Sequence, residues 1–182
     1  MIDAQGKLLI APPGMPDPRF AKTVVFMWKH DVSGASGVII NKRCQRPTFQ
    51  HVCQEGGITL KAGVKAPVYY GGPVLSNVVG LLHSTEYRLA SSNILTEGKV
   101  GFTLDSKILQ DVARDKGPLN RIVTLGMCSW NASQLEEEIE HPHTPPRHEL
   151  VDVGLRRETG VRTVGRHQTR RNMGGLCEQG HP

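Results

Sequence analysis

Aromatic side chains make up only 5% of this 182-residue chain, and none lies beyond Trp130. Long apolar runs are also missing. The longest, Val24–Trp28, is far short of the roughly 20 residues that a membrane-spanning helix needs. The start lacks a basic excess, since Met1–Lys7 sets the acid Asp3 against Lys7, and no apolar core follows. An export signal is therefore not expected, and neither is a membrane attachment. The four cysteines, Cys44, Cys53, Cys128 and Cys177, form neither a C-x-x-C pair nor a dense framework. They suit reduced thiols in a cytoplasm. A G-x-S-x-G nucleophile elbow is absent too.

What is present is an excess of positive charge, a net +5 with a pI near 9.2. Its distribution is uneven. Residues 1–140 hold 15 Lys+Arg against 13 Asp+Glu, whereas residues 141–182 hold 7 Arg against 4 Asp+Glu. The part that can build a core is close to neutral, so direct DNA binding is not supported by residues 1–140.

The pattern of elements reads as α+β. Lys7–Ala11, Thr23–His30, Gly37–Asn41, Val68–Tyr70, Val79–His83, Val100–Thr103 and Arg121–Leu125 are short β-branched or apolar runs, and turn residues bound them. Asp31–Ser36 reads as a hairpin loop and Gly71-Gly72-Pro73 as a tight turn between strands. Thr48 caps a helix to Glu55 whose apolar face is Phe49, Val52 and Cys53. Asp105 caps another, Ser106–Lys116, with the stripe Ile108, Leu109, Val112 and Ala113. Ser133–Glu136 opens a third, acidic helix to Glu140. Strands joined by hairpins and interrupted by a few helices predict one compact domain, a central, mainly antiparallel sheet flanked by short helices.

Several motifs then carry a resemblance. Pro-x-Met-x-Asp-Pro-x-Phe at Pro13–Phe20, Ser-Gly-Ala-x-Gly-Val-Ile-Ile-Asn at Ser33–Asn41, Tyr-Gly-Gly-Pro-Val at Tyr70–Val74, His83-Ser84, Leu125-Gly126 and Trp130 with Gln134–Ile139 occur in order. Over about residues 7–140 the chain resembles the YqgE/AlgH family of small bacterial proteins. The resemblance implies a compact α+β domain with a largely antiparallel sheet. It also brings a transcriptional-regulator label, without a recognisable helix-turn-helix. Met127-Cys128-Ser129 departs from the family pattern by placing a thiol there.

Residues 141–182 do not share the resemblance. They contain no Ala, Ser, Lys, Ile or aromatic residue, so a disordered tail is expected. A frameshift is the expected cause of the change, the alternative being a genuine divergent tail. Synonymous codons exist for Glu149–Arg166 which, read one base later, give Ser-Trp-Leu-Thr-Trp-Ala-Ser-Asp-Glu-Lys-Leu-Val-Phe-Glu-Leu-Ser-Ala. That string resembles the Trp-containing segment and final helix expected of the family. The nucleotide sequence is expected to carry those codons, and incompatible codons would refute the reading.

The polar candidates for a site are Asp17, Arg19, Asn41, Gly71, Gly72 and His83. Asp17 and Arg19 offer a carboxylate and a guanidinium beside rigid prolines; the alternative is a local cap and ion pair. Gly71 and Gly72 could present amides to an anion, or simply make the turn. His83 could serve as a base or end a strand with its hydrogen bonds filled. Cys128, expected before a helix start, could have its thiol pKa lowered by the helix dipole. His141-x-His143 has metal-ligand spacing without partners, and Arg170-Arg171 has no aromatic neighbours for base stacking. No catalytic residue, metal or cofactor is assigned. The expected function is a cytoplasmic, non-enzymatic protein that binds a protein partner or small ligand. The alternative is an enzyme or ligand-binding protein using a cleft around Asp17, Asn41, Gly72 and His83.

Overall fold

Alternating apolar residues in the first half of the chain produce a sheet with two buried faces. In the computed structural model, which describes residues 2–140 and the backbone of residues 149–151, β1 is Leu8–Ile10, β2 Val24–Asp31 and β3 Gly34–Ile39. Helix α1 (Phe49–Glu55) precedes β4 (Val68–Tyr70), β5 (Val74–Ser84), β6 (Asn93–Leu95) and β7 (Val100–Thr103). Helix α2 (Ser106–Ala113), β8 (Arg121–Asn131), α3 (Gln134–Glu140) and β9 (Glu149–Val151) follow. The strand order is β6-β7-β5-β8-β3-β2-β1-β9, with β4 pairing β8 off this path. Every pairing is antiparallel except β4 with β8. The expectations for residues 141–182, a disordered tail of frameshift origin and the His141-x-His143 spacing, fall outside the described residues, apart from the backbone of Glu149–Val151.

The sheet curls until Thr96 Oγ1, just after β6, donates to Gly6 O at 3.1 Å, just before β1. Period-2 alternation sends Phe26, Val38, Leu82 and Phe102 to the inner face. Their neighbours Val25, Met27 and Ile39 point outward under α3, with Trp130 and Leu135. Leu81 and Val123 point outward beneath α1 and α2, whose stripes are Phe49, Val52, Cys53 and Ile108, Leu109, Val112. Asp105 Oδ1 accepts the Lys107 amide at 2.9 Å, a cap contributing about 1 kcal/mol. In α1 the capping partner is a histidine: His51 Nδ1 accepts the Thr48 amide at 3.2 Å.

Three expectations are corrected. The hairpin loop at 31–36 shrinks to Val32-Ser33, because Asp31 Oδ1 accepts the Ser33 amide at 2.8 Å and bonds the Ser33 hydroxyl. Gly34 is a strand glycine whose Cβ would lie 2.2 Å from Trp130 O. The strand expected to end at Leu125 runs on to Asn131 as β8, since Gly34–Gly37 pair with Cys128–Asn131. Gly71-Gly72-Pro73 is not a hairpin turn either. Strands β4 and β5 both pair with Val123–Leu125, so they occupy opposite edges of β8. The glycines carry the chain across it.

The Asp31 turn has a pH signature. The Ser33 hydroxyl and amide bonds and the nearby Lys29 hold the Asp31 carboxyl down at about 2, from its ordinary value of 3.8. A depressed folded-state value means that the turn's contribution is present above the unfolded value and lost as pH falls through about 2. NMR titration of the Asp31 carboxyl is expected to give a midpoint near 2, and Ser33→Ala should raise it.

Candidate functional site

Polar or open surface is concentrated in the loop before β2 and in a groove between α1 and α2; a further cavity of about 580 Å³ lies at the start of α1, lined by Arg43, Cys44, Thr48 and Phe49 among others. The loop is built by prolines and one carboxylate. Asp17 O accepts the amides of Phe20 (3.0 Å) and Ala21 (2.9 Å), and Asp17 Oδ1 accepts the Arg19 amide at 2.9 Å. The Arg19 guanidinium donates back to the carboxylate, with Nη2 at 2.7 Å from Oδ2. That bond, above all, holds the Asp17 carboxyl below its ordinary value. Asn41 Oδ1 accepts the Val24 amide at 2.9 Å while Nδ2 donates to Lys22 O at 2.8 Å. Lys42 Nζ donates to Pro18 O (3.1 Å) and Arg19 O (2.7 Å). Asn41 and Lys42 thus clasp the loop onto the start of β2.

Gly71 lies at the same end of the sheet. Its amide donates to Leu125 O at 2.7 Å and its carbonyl accepts the Ile39 amide at 2.8 Å. An anion nest would need that amide free, and Pro73 supplies none. The Cys128 thiol donates to Gly71 O at 3.6 Å. Contrary to the expected lowering, burial inside β8 pushes this thiol up to about 12. It is poorly placed for nucleophilic chemistry.

His83 does not join this group. It pairs with Arg121 on β8, five residues from Gly126, roughly 17 Å along a strand. It is buried, with Nδ1 2.9 Å from Ser84 O and Nε2 2.9 Å from Thr103 Oγ1. A carbonyl only accepts, so Nδ1 carries the hydrogen. Asp17, Arg19, Asn41 and Gly71 therefore gather at one end, each engaged in the fold, and His83 stands apart.

The groove was not among the sequence candidates. It encloses about 640 Å³ between α1 and α2. Val52, Ile58, Val79, Leu109 and Leu125 form its apolar lining, and Glu55, Asn77, Ser106 and Gln110 its polar rim. It exists because β5 is bulged. Val74 pairs with Met127 and Val79 with Leu125, so four residues of β5 face the single Gly126. The bulge lifts residues 75–78 out of the ladder and leaves Leu75 54% and Leu104 39% exposed. Helical periodicity marks Val52 and Leu109 as core residues. Only the neighbouring Gly-Gly-Pro segment hints that β5 starts irregularly.

Fold and site define a class: a small α+β protein with a curled, mainly antiparallel sheet, a glycine crossing over one strand, and an open groove between two outer helices. The chain belongs to the AlgH-like family, whose model matches residues 8–143. It is 41% identical over 141 residues to a UPF0301 protein of Ruegeria pomeroyi, an alignment covering 76% of each chain. It is 35% identical over 143 residues to a UPF0301 protein of Buchnera aphidicola, covering 76% of this chain and 75% of the relative. The solution structure of the AlgH protein from Pseudomonas aeruginosa aligns with a TM-score of 0.62 at 29% identity, covering 76% of each chain. A crystal structure of a Corynebacterium diphtheriae protein aligns at 0.60 and 21% identity, over 77% of this chain and 73% of that one, and shares the fold.

Proposed function

We propose that this chain is a non-catalytic cytoplasmic binding protein and that it takes its ligand in the groove between α1 and α2. The observation that carries the reading is the partly exposed apolar lining of Ile58, Val78, Val79, Leu104 and Leu125 between two helices, backed by the buried Val52 and Leu109 and rimmed by a few polar groups. Concave apolar surface with sparse polar groups is the usual form of a ligand site. The competing enzyme reading needs Asp17, Asn41, Gly72 and His83 to converge, and His83 is tied up at the other end of β8. A role in transcription would act through a bound partner. Helices α1, α2 and α3 are each separated by strands and form no helix-turn-helix pair, and residues 1–140 lack the net charge for phosphate steering. Cytoplasmic location accords with the unpaired thiols of Cys44, Cys53 and Cys128. Among the described residues no helix is long and apolar enough to cross a membrane. A fragment and metabolite screen read by amide NMR shifts tests the site. Hits are expected to move amides near Val52–Ile58, Asn77–Val79 and Ser106–Gln110. Hits confined to the Asp17–Phe20 loop would overturn it.

A further inference from the structure

The groove has an electrostatic bias that its apolar floor does not explain. Glu55 sits on its rim and is the last residue of α1. The carbonyl end of a helix is already negative and favours cations nearby. Yet the last turn of α1 has no basic residue, and among the described residues Glu55 has no ion-pair partner. Glu55 thus adds its carboxylate at a helix end where the amides of Gly56, Ile58 and Gly57 already cap the carbonyls of Val52, Cys53 and Gln54, so its own charge is the main one beside the partly exposed apolar lining.

The opposite side of the groove supplies backbone. Among the described residues, 75–78 of β5 have no ladder partner: β8 pairs with Val74 and then from Val79 on, and β7 reaches only Leu81–Ser84. Beyond the kink at Leu75, residues 76–78 are an unpaired strand segment of the kind that accepts an added strand. Leu75 is held there at φ +50, a conformation that disfavours a bulky residue and that marks functional segments when it is maintained. Its exposed side chain lies in the bulge, near the groove residues Ser76 and Asn77.

We propose that the groove accepts an extended peptide segment of a partner protein. Backbone groups of the segment pair with residues 76–78 of β5, alternate apolar side chains enter between Val52 and Leu109, and a Lys or Arg lies against Glu55. The inference rests on the groove being the ligand site and adds the chemistry of its occupant. Charge complementarity selects the basic residue, since a phosphate or an acidic peptide would meet Glu55 and the α1 carbonyl end with like charge.

The test is selection of a random-peptide phage library on the full chain, followed by NMR mapping of synthetic copies of the selected peptides. Selected peptides are expected to combine apolar residues with a Lys or Arg and to shift the amides of residues 75–79 and 104–110. Glu55→Lys should weaken them at least about tenfold, and replacing the peptide's basic residue by Glu should restore binding to that variant. Glu55 is exposed, so the variant should fold, which its amide spectrum checks. Peptides that lack basic residues, or that bind the Glu55→Lys variant equally well, overturn the proposal. No selected peptide, with fragments still binding the groove, overturns the peptide occupant and leaves the groove reading intact. Peptides and fragments that both map elsewhere overturn both.

Discussion

Gly72→Ala is expected to abolish stable folding, whereas Gly98→Ala, also at positive φ, should cost only about 1 kcal/mol. The two sites share a backbone preference and differ in what lies beside them. Gly98 has φ +84 and nothing within 4 Å of an added Cβ. Gly72 has φ +154, and its Cβ would lie 2.2 Å from Met127 C, 2.3 Å from Met127 O and 2.6 Å from Cys128 N. These are backbone atoms of β8, held by the pairing of Cys128 with Gly37 and of Met127 with Val74. They cannot yield without loss of both ladders. Gly126 answers from below, since its own Cβ would meet Gly72 O at 2.4 Å. The penalty should exceed about 4 kcal/mol, an unusually large effect for one substitution and a large part of a domain's total stability. Soluble yield and urea midpoints of the two variants measure it. Similar midpoints for both would refute the close crossing.

That crossing also explains a break in the alternation of β8. Val123 and Leu125 face α1 and α2, and continued period 2 would keep Met127 outward. Gly126, at φ +72, shifts the phase by one residue. Met127 therefore turns inward to Phe26 and Val38, while Cys128 and Trp130 face the α3 side. One strand thereby serves two outer cores, one under α1 and α2, the other under α3.

The sequence made the elements legible wherever the cause was local. The stripes Phe49-Val52-Cys53 and Ile108-Leu109-Val112 produced α1 and α2, and the need for glycine at positions 71 and 72 was evident. The reason for those glycines was not, because the strand that they cross lies more than fifty residues further along. The same distance hid the C-terminal half of β8. Gly126-Met127-Cys128-Ser129 has weak strand character by itself, and it extends because Gly34–Gly37 are available to pair with its end. The loop of Asp17 and Arg19 was legible as chemistry, yet its charges are spent within it and against Lys42. The groove was hidden for the opposite reason: Val52 and Leu109 read as ordinary core and are buried, and only tertiary structure decides that Val79, Leu104 and Leu125 beside them stay partly exposed.

The second large effect is expected at Phe102, which is fully buried on the inner face of the curled sheet. Its ring is stacked on Trp28, with centroids 5.0 Å apart and planes at 26°. A Cβ on Gly80 would come 2.7 Å from Phe102 Cζ, so the ring lies directly against bare backbone. Phe102 pairs with Leu82 on one side and Asn93 on the other, so ladders anchor the walls around the ring. The hole left by Phe102→Ala cannot readily collapse, and the loss should fall near the upper end of about 3–5 kcal/mol. Leu119→Ala, at a side chain 80% exposed, should stay within about 0.5 kcal/mol. Trp28 supplies an independent readout. Its Nε1 is buried without a partner among the described residues, and the vacated ring space would admit water to a group that needs an acceptor. Native Trp28 fluorescence in the Phe102→Ala variant is therefore expected to shift to the red before any denaturant is added. An unshifted native emission together with a loss under about 1 kcal/mol would mean that the inner face repacks, and that the curl of the sheet does not depend on this stack.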